Sequence, residues 1–485
     1  MADEIKIGII TDCKAGLNLA EKFIDKKTDF SICGFFDKGT EESEDFMQKY
    51  TEVNNRTKID ILMDLDALIL SLKKPRVLLV VGRNYTREHI KLFSEKLESG
   101  DIIIDCCDVN YKESAMISKQ LLRNGINYLG TGYVFATENL FTSPAFMFSG
   151  NIDAYNTVFS AFSEISSYID GVSCASYIGP DGSGQFVKMV CTSLYNTFLE
   201  LIAETIFLIR YTLNLSPYEI KDILIDFSSS EASSFLLDTA ADIICKKDAK
   251  TDKFMVDVAL DRIVQSKRDI WIAKYAYDLG CPIPTVTAAS NIRLLSGFIS
   301  ERISASQLIE IPEADKIKAS EEKEFIEACR KTLYTGMICC VAQVFSLMKK
   351  ASEQYNWNLD LYKIACALQG GTFVHSEIMY RVMDAFKGGS KTENILVNDY
   401  FSRIINEYCP VVRSTVVKII EKGWPLPALL STIEYIDCYR SRRLATPIIQ
   451  IIKDCIAENG YERIDESGIF YGEWDNPNDI VKSVK

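Results

Sequence analysis

The chain has 485 residues, of which 47% are hydrophobic and 25% charged, a balance typical of a globular protein with two or three domains. Its net charge of −13 argues against nucleic-acid binding. The lack of a long uncharged apolar run and of a signal sequence predicts a cytoplasmic protein with no membrane partner. Fifteen cysteines without a C-x-x-C pair, and only two histidines, indicate buried thiols and no metal site.

The first part of the chain alternates apolar strands with helical stretches. Strands are predicted at 6–10, 30–36, 77–81 and 102–105, and helices at 16–26 and 86–97. Short β-branched runs suit strands that are buried on both faces, and strands separated by helices form βαβ units. We therefore predict an α/β fold that begins with a Rossmann-like, doubly wound parallel sheet over residues 1–180.

Helical periodicity dominates after the glycine-rich loop at 179–184. Residues 185–210 are apolar on almost every side, as expected of a helix buried in the middle of an α-helical domain. We predict a large all-α domain over residues 181–459, followed by a polar C-terminal tail over 460–485. Such a tail usually needs a surface to pack against, for example another subunit.

Several motifs, ordered along nearly the whole chain, resemble those of one family. They include Lys74-Pro75-Arg76, Gly100-Asp101-Ile102, Gly182-Ser183-Gly184-Gln185-Phe186-Val187-Lys188, Gly280-Cys281-Pro282-Ile283-Pro284 and Tyr435-Ile436-Asp437-Cys438-Tyr439-Arg440. From residue 5 to about 475 the chain resembles 6-phosphogluconate dehydrogenase. The resemblance implies a homodimer that oxidises 6-phosphogluconate with NADP and then decarboxylates the product. It also implies a lysine as general base and a glutamate as proton donor.

The cofactor site implied by the resemblance is altered. The three glycines of the family's nucleotide-binding turn correspond to Thr11, Cys13 and Gly16, and Asp12 adds a negative charge near a pyrophosphate. At the end of the second strand, Asp37-Lys38 stand where the family has an asparagine and an arginine that grips the NADP 2′-phosphate. We expect no bound cofactor; NADP or NAD is the alternative, and Asp37 favours NAD.

Two loops around the implied substrate site carry bulky residues where the family has small ones. Cys106-Cys107-Asp108 correspond to Gly-Gly-Asn, and Val134-Phe135-Ala136 correspond to Ser-Gly-Gly. A side chain adds volume where a glycine backbone lets a ligand approach closely. We therefore expect Phe135 to plug the pocket, and the structure must show whether the space is open or filled by Phe135, Tyr133 and Tyr195.

Lys188 corresponds to the family's catalytic lysine. Burial on an apolar helix lowers the pKa of a lysine towards neutrality, which suits a general base, although a packing or ion-pair role is the alternative. Tyr195 stands where the family has its proton-donating glutamate, and a tyrosine hydroxyl is ordinarily too weak an acid for that step. Asn196 replaces a tyrosine that contacts phosphate in the family.

The phosphate contacts are mostly replaced. Arg293 corresponds to a phosphate-binding arginine, whereas Ser266, Lys453 and Asn459 stand in place of a lysine, an arginine and a histidine. A site that needs several charge-assisted hydrogen bonds at once tolerates such losses badly.

These replacements favour a family member that has lost catalysis and serves as a structural, scaffolding or regulatory protein. It would form a homodimer, or a heterodimer with a related chain, and could belong to a larger assembly. Two alternatives are open. One is a divergent, active 6-phosphogluconate dehydrogenase that uses NADP in the pentose phosphate pathway. The other is an NAD-dependent β-hydroxyacid dehydrogenase with a different substrate, in which Lys188 remains the base.

Overall fold

The computed structural model of the chain describes residues 6–25, 30–33, 59–62, 64–82, 85–134, 143–264, 267–311, 317–389, 392–472, 474 and 482–484. The chain divides into two compact units, Met1–Thr432 and Ile433–Lys485. The first unit contains the large sheet and most of the helices.

A sheet of eight described strands forms the N-terminal part of the first unit. The strands up to residue 179 are β1 (Ile7–Thr11), β2 (Phe30–Cys33), β3 (Ile59–Leu62), β4 (Val77–Val81), β5 (Ile102–Asp105), β6 (Asn127–Val134), β7 (Ala145–Gly150), β8 (Tyr168–Ile169), β9 (Val172–Ser173) and β10 (Ala175–Gly179). The order across the sheet is β10-β7-β6-β5-β4-β1-β2-β3, with β6 and β7 antiparallel and the other neighbours parallel. The short strands β8 and β9 form a separate hairpin. The predicted Rossmann-like sheet is confirmed.

Helices cover both faces of this sheet, as expected of a doubly wound fold. They are α1 (Lys14–Asp25), α2 (Leu65–Ser71), α3 (Arg87–Ser94), α4 (Tyr111–Leu122) and α5 (Ile152–Ile165). The side chains of α1 and α5, including Phe23 and Phe162, share one hydrophobic cluster, and those of α2, α3 and α4 share the other. Asp64, Asn110 and Asn151 begin α2, α4 and α5 by accepting backbone N–H groups of the first turn.

The strand order places a crevice at the carboxyl ends of β1 and β4. These strands are adjacent, but α1 after β1 and α3 after β4 lie on opposite faces of the sheet. Ligands of open α/β sheets bind at such a switch point. The residues that end there are Thr11 to Cys13 after β1, Gly82 after β4, and Cys106 to Asp108 after β5.

The rest of the first unit is helical, as predicted. Its described helices are α6 (Ser183–Leu213), α7 (Pro217–Ser228), α8 (Phe235–Ile243), α9 (Met255–Val258), α10 (Lys267–Asp278), α11 (Pro284–Ser296), α12 (Ile299–Leu308), α13 (Glu322–Tyr355), α14 (Leu361–Gly371), α15 (Glu377–Phe386), α16 (Asp399–Glu421) and α17 (Pro427–Arg440), with 3₁₀ turns at Ala319–Glu321, Lys387–Gly389 and Ile395–Val397. By length and composition alone, α6 and α13 could cross a membrane. Their most apolar windows are 67% and 89% buried inside the structure, which is the placement of core helices.

The first turn of α6 lies directly on the sheet because glycines allow close approach. A Cβ added at Gly184 would lie 2.0 Å from the carbonyl oxygen of Met147 on β7 and 2.9 Å from that of Gly130 on β6. On the facing strand, a Cβ added at Gly132 would lie 2.6 Å from the carbonyl oxygen of Gly184. This contact fixes the position of Lys188, which lies one helical turn further along α6.

The middle of α6 is held by a buried carboxylate. The Glu204 oxygens accept the backbone N–H groups of Ala428 (2.9 Å) and Leu429 (2.8 Å) in the first turn of α17. Burial raises the pKa of Glu204 to about 8, although the two N–H groups act in the opposite direction. The interaction joins α6 to the last helix that begins in this unit.

The second unit contains the end of α17, α18 (Thr446–Ala457) and a small antiparallel sheet. Its strands are β11 (Tyr461–Glu462), β12 (Ile469–Tyr471) and β13 (Lys482–Val484). Asp454, buried on α18, accepts hydrogen bonds from the N–H groups of Gly460 and Gly472 and from Nε1 of Trp474. The predicted tail therefore contains strands, and the hydrogen bonds to Asp454 connect the tail to the preceding helix.

We expect Gly184→Ala to destabilise the protein by about 1–3 kcal/mol, because the added methyl group would overlap the Met147 carbonyl oxygen. The measurement is the midpoint of urea unfolding. The matched control is Gly297→Ala, where the nearest atom to the new Cβ would be the Leu294 carbonyl oxygen at 3.3 Å. Equal midpoints for the two variants would contradict the close approach of α6 to the sheet.

Candidate functional site

Lys188 is the central charged group of the site. It is 4% exposed, and its Nζ donates to the carbonyl oxygens of Cys106 (3.3 Å) and Cys107 (3.4 Å). Burial lowers the pKa of Lys188, as expected for a general base. The Asp108 Oδ1 lies 2.9 Å from Nζ, and this carboxylate favours the charged ammonium instead.

Asp108 also pairs with a second cation. The same Oδ1 accepts a hydrogen bond from Nη2 of Arg268, whose Nη1 donates to the Thr192 hydroxyl at 3.1 Å. Burial lowers the pKa of Arg268 to about 10, so its guanidinium remains charged at neutral pH. One carboxylate oxygen therefore bridges Lys188 and Arg268, which come from α6 and α10.

A cavity of about 330 Å³ lies beside this bridge. Its walls are Cys13, Ala15, Val81, Gly82, Cys106, Asp108, Tyr133, Val134, Lys188, Cys191, Thr192, Tyr195, Arg268 and Phe373. Tyr133 and Tyr195 lie in this wall beside the open volume. Tyr133 packs away into the sheet, where it stacks on Phe146 and its hydroxyl donates to the Ala15 carbonyl oxygen at 3.3 Å. Tyr195 lies against Phe373 in the wall, with ring centroids 5.2 Å apart, and Phe135 lies outside the described residues.

The nucleotide-binding turn forms hydrogen bonds within itself. The Thr11 hydroxyl donates to the carbonyl oxygen of Cys13 (3.1 Å), and the Cys13 N–H approaches the same hydroxyl at 3.3 Å. Gly16 is needed at its position because a Cβ there would lie 1.9 Å from the Thr11 hydroxyl oxygen. The N–H group of Cys13 is therefore hydrogen-bonded within the turn, whereas a Rossmann turn offers such a group to a pyrophosphate.

The crevice between β1 and β4 is also narrowed by two side chains. A Cβ added at Gly82 would lie 2.4 Å from Oδ1 of Asp12 and 2.4 Å from the ring of Tyr85, so both groups lie against this glycine. Asp12 places a carboxylate where a dinucleotide would bring its pyrophosphate, and two anions repel each other. Asp12 and Tyr85 therefore take up part of the crevice and bring a negative charge to it. Asp37 and Lys38 lie outside the described residues.

Arg293 is surrounded by acidic and carbonyl oxygens of this chain. It is 7% exposed, and its Nη2 donates to the carbonyl oxygen of Asn196 at 2.7 Å. Its guanidinium lies 3.8 Å from the Asp269 carboxylate and 3.9 Å from the Glu200 carboxylate. Burial raises the pKa of Glu200, and the charge of Arg293 works against that rise. The arginine that matches the family's phosphate contact therefore faces two acidic side chains of its own chain.

The other predicted phosphate contacts are Asn196, Ser266, Lys453 and Asn459. Asn196 lies in the cluster around Arg293, but its side-chain amide donates to Asp269 at 2.8 Å. Ser266 lies outside the described residues, and Lys453 and Asn459 are exposed residues of the second unit.

Sequence reasoning missed the acidic partners of the three cations. Asp108 lies 80 positions from Lys188, and Asp269 and Glu200 lie 24 and 93 positions from Arg293. Their pairing could therefore not be inferred from spacing. One signal was available at Asp108, where an acid stands in place of the family's neutral asparagine beside the lysine. An acid gained next to a buried cation indicates an ion pair.

The fold and site define a two-domain protein of the NAD(P)-dependent dehydrogenase class. A family model described as the NAD binding domain of 6-phosphogluconate dehydrogenase matches residues 6–179, and one described as its C-terminal domain matches residues 184–474. The chain belongs to the 6-phosphogluconate dehydrogenase family, which confirms the resemblance inferred from its motifs.

The similar proteins are named as enzymes. The NADP(+)-dependent, decarboxylating 6-phosphogluconate dehydrogenase of Bacillus subtilis is 33% identical over 97% of this chain and 99% of its own length. The decarboxylating enzyme of Escherichia coli is 31% identical over the same shares. The solved 6-phosphogluconate dehydrogenase of Plasmodium falciparum, described in complexes with NADP+ and with 6-phosphogluconate, is 26% identical, with a TM-score of 0.90 and coverage of 97% of this chain and 100% of that one. These comparisons give no support to the expected absence of a cofactor or to a loss of catalysis.

We expect Asp108→Asn to lower the pKa of Lys188 further, because the variant keeps the burial and removes the anion that favours the ammonium. The measurement is an NMR pH titration of isotope-labelled dimethyl-lysine. The control is Asp278→Asn, which removes the acidic partner of the exposed Lys112 and should leave the Lys188 signal unchanged. An unchanged or raised pKa of Lys188 in Asp108→Asn would argue against the ion pair.

Proposed function

We propose that this chain does not oxidise and decarboxylate 6-phosphogluconate, and that it acts as a non-catalytic, dimer-forming member of its family. The observation that carries the proposal is the bridge from Asp108 to both Lys188 and Arg268. A general base must be unprotonated and free to reach the substrate. The bridge favours a charged Lys188 whose side chain is held in place by Asp108 of the same chain.

Other features of the same site support the proposal. A proton donor is needed in the last step of the family's reaction, and Tyr195 in that place is a weak acid that lines the cavity wall beside Phe373. Thr11 accepts the N–H of Cys13, and Asp12 brings a negative charge to the crevice where the dinucleotide would bind. Catalytic groups act as a set, so the loss of several removes far more activity than the loss of one.

A divergent, active enzyme that uses NADP is the second candidate. The open cavity beside a buried lysine favours it, because a filled pocket would have excluded any substrate. The names of the similar proteins favour it as well. An NAD-dependent hydroxyacid dehydrogenase would need the same base, and its ribose contact, Asp37, lies outside the described residues.

Calorimetric titration with NADP, NAD and 6-phosphogluconate separates these candidates when it is combined with an assay for reduced nicotinamide. We expect no turnover with either nucleotide, and binding of both nucleotides at least about a hundredfold weaker than that of the Bacillus subtilis enzyme measured alongside. Tyr195→Glu alone should remain inactive, because it leaves the Asp108 bridge in place. Turnover of 6-phosphogluconate by the unaltered protein would refute the proposal.

The proposed dimer is supported by large apolar side chains that are exposed on α10 and α11 and within residues 298–309. They are Ile270, Tyr277, Leu294, Leu295, Phe298, Ile303, Leu308 and Ile309. Exposed apolar patches of this kind usually bind another protein.

We expect light scattering after size exclusion to give twice the chain mass of 54.7 kDa, and Phe298→Asp to reduce it to one chain. Phe298 is 53% exposed. The control is Leu70→Asp on α2, which changes an apolar residue of the sheet domain that is even more exposed, at 82%. A monomeric unaltered protein would exclude the homodimer.

A further inference from the structure

Three cysteine thiols line the cavity beside Lys188. They belong to Cys13, which follows β1, to Cys106, which follows β5, and to Cys191 on α6. Cys106 and Cys191 are 4% and 3% exposed, whereas Cys13 is half-buried. Of these three thiols, that of Cys13 is therefore the one that a reagent entering the cavity reaches most easily.

The two inner thiols are also chemically quiet. Burial raises the pKa of the Cys191 thiol to about 12, and it raises the pKa of the Cys106 thiol strongly as well. A thiol attacks as its thiolate, so both side chains remain unreactive at neutral pH. For the same reason they do not displace a group that is attached to Cys13.

Cys13 lies at a positively charged position in the fold. Its carbonyl oxygen accepts the N–H groups of Gly16 (3.0 Å) and Leu17 (3.4 Å), so it directly precedes the first turn of α1, where a helix carries partial positive charge. Burial lowers the pKa of Lys188, and the nearby thiols, that of Cys13 among them, act in the opposite direction. Reactive cysteines commonly lie at helix N-termini or beside lysines and are partly exposed.

The cavity wall is positively charged as well. In its described part the charged residues are Lys188, Arg268 and Asp108, which are two cations and one anion. When a thiol attacks a disulfide, negative charge passes from the attacking sulfur to the sulfur that leaves. Cations beside the reacting atoms stabilise that charge.

We propose that Cys13 is a modification site, at which the thiol exchanges with a low-molecular-weight disulfide and retains half of it in the cavity. The Cys13 sulfur, having lost its proton to water, bonds to one sulfur of the reagent. The S–S bond of the reagent breaks, and its other half leaves as a thiolate that takes a proton from water. One disulfide replaces another, so no further oxidant is needed. The inference goes beyond the proposed function, because the exchange requires no turnover of a sugar acid.

The site is tested on the reduced full chain with bis(2-hydroxyethyl) disulfide, a small uncharged probe, followed by an acid quench and peptide mass spectrometry. We expect Cys13 to be modified at least as fast as Cys438, although Cys438 is exposed at the surface, and we expect Cys106 and Cys191 to stay unmodified. Dithiothreitol should remove the attached group, as expected of a disulfide. Modification of Cys438 without modification of Cys13 would overturn the proposal, and so would modification of all three cavity thiols at equal rates.

The contribution of the cavity charges is tested by substitution. Lys188→Gln should slow the modification of Cys13 by about fivefold or more, because it removes a cation beside the reacting sulfurs, and Cys438 in the same molecule should react as before. The matched control is Lys112→Gln, which removes an exposed lysine and should leave both rates unchanged. If Lys188→Gln fails to fold, Arg268→Gln removes the other cation of the wall, with the same expected direction. An unchanged rate at Cys13 in the variant that folds would overturn the proposal.

Discussion

A buried cation needs a negative charge beside it, and in this chain the negative charges come from the chain itself. Removing one partner from a buried ion pair costs roughly 3–5 kcal/mol, because the other charge is left without compensation. Lys188 has Asp108, and Arg293 has Asp269 and Glu200. The two basic residues that match the family's catalytic and phosphate positions are therefore stable in the folded chain without any ligand.

The parts of the fold that could be predicted are those whose pattern is local. The apolar runs that became β1, β4 and β5 are short and rich in isoleucine and valine, and α6 is apolar on almost every side. Strand β6 was not predicted, because Gly130, Thr131 and Gly132 interrupt its apolar pattern. Gly132 is required by the approach of α6, and Gly130 by that of Ser114 on α4; both are tertiary contacts that a local pattern does not report.

The candidate site could be predicted only as a set of positions. The motifs located Lys188, Arg293 and the turn around Thr11, but the polar partners of these residues lie on other elements. Whether Tyr133 fills the pocket could not be decided from its size, because its direction is set by its strand and by its stacking on Phe146. Side-chain volume without direction is a poor guide to a cavity.

The motif from Gly182 to Lys188 connects the fold and the site, and most of its residues serve packing. A Cβ at Gly182 would lie 2.0 Å from the carbonyl oxygen of Tyr111. The Gln185 amide donates towards the carbonyl oxygens of Asp105, Cys107 and Thr131, at 3.2 to 3.3 Å. These contacts close the interface between sheet and helix, which the chain needs whether or not it is an enzyme. A match to the family at these positions is therefore strong evidence for the fold and weak evidence for the reaction.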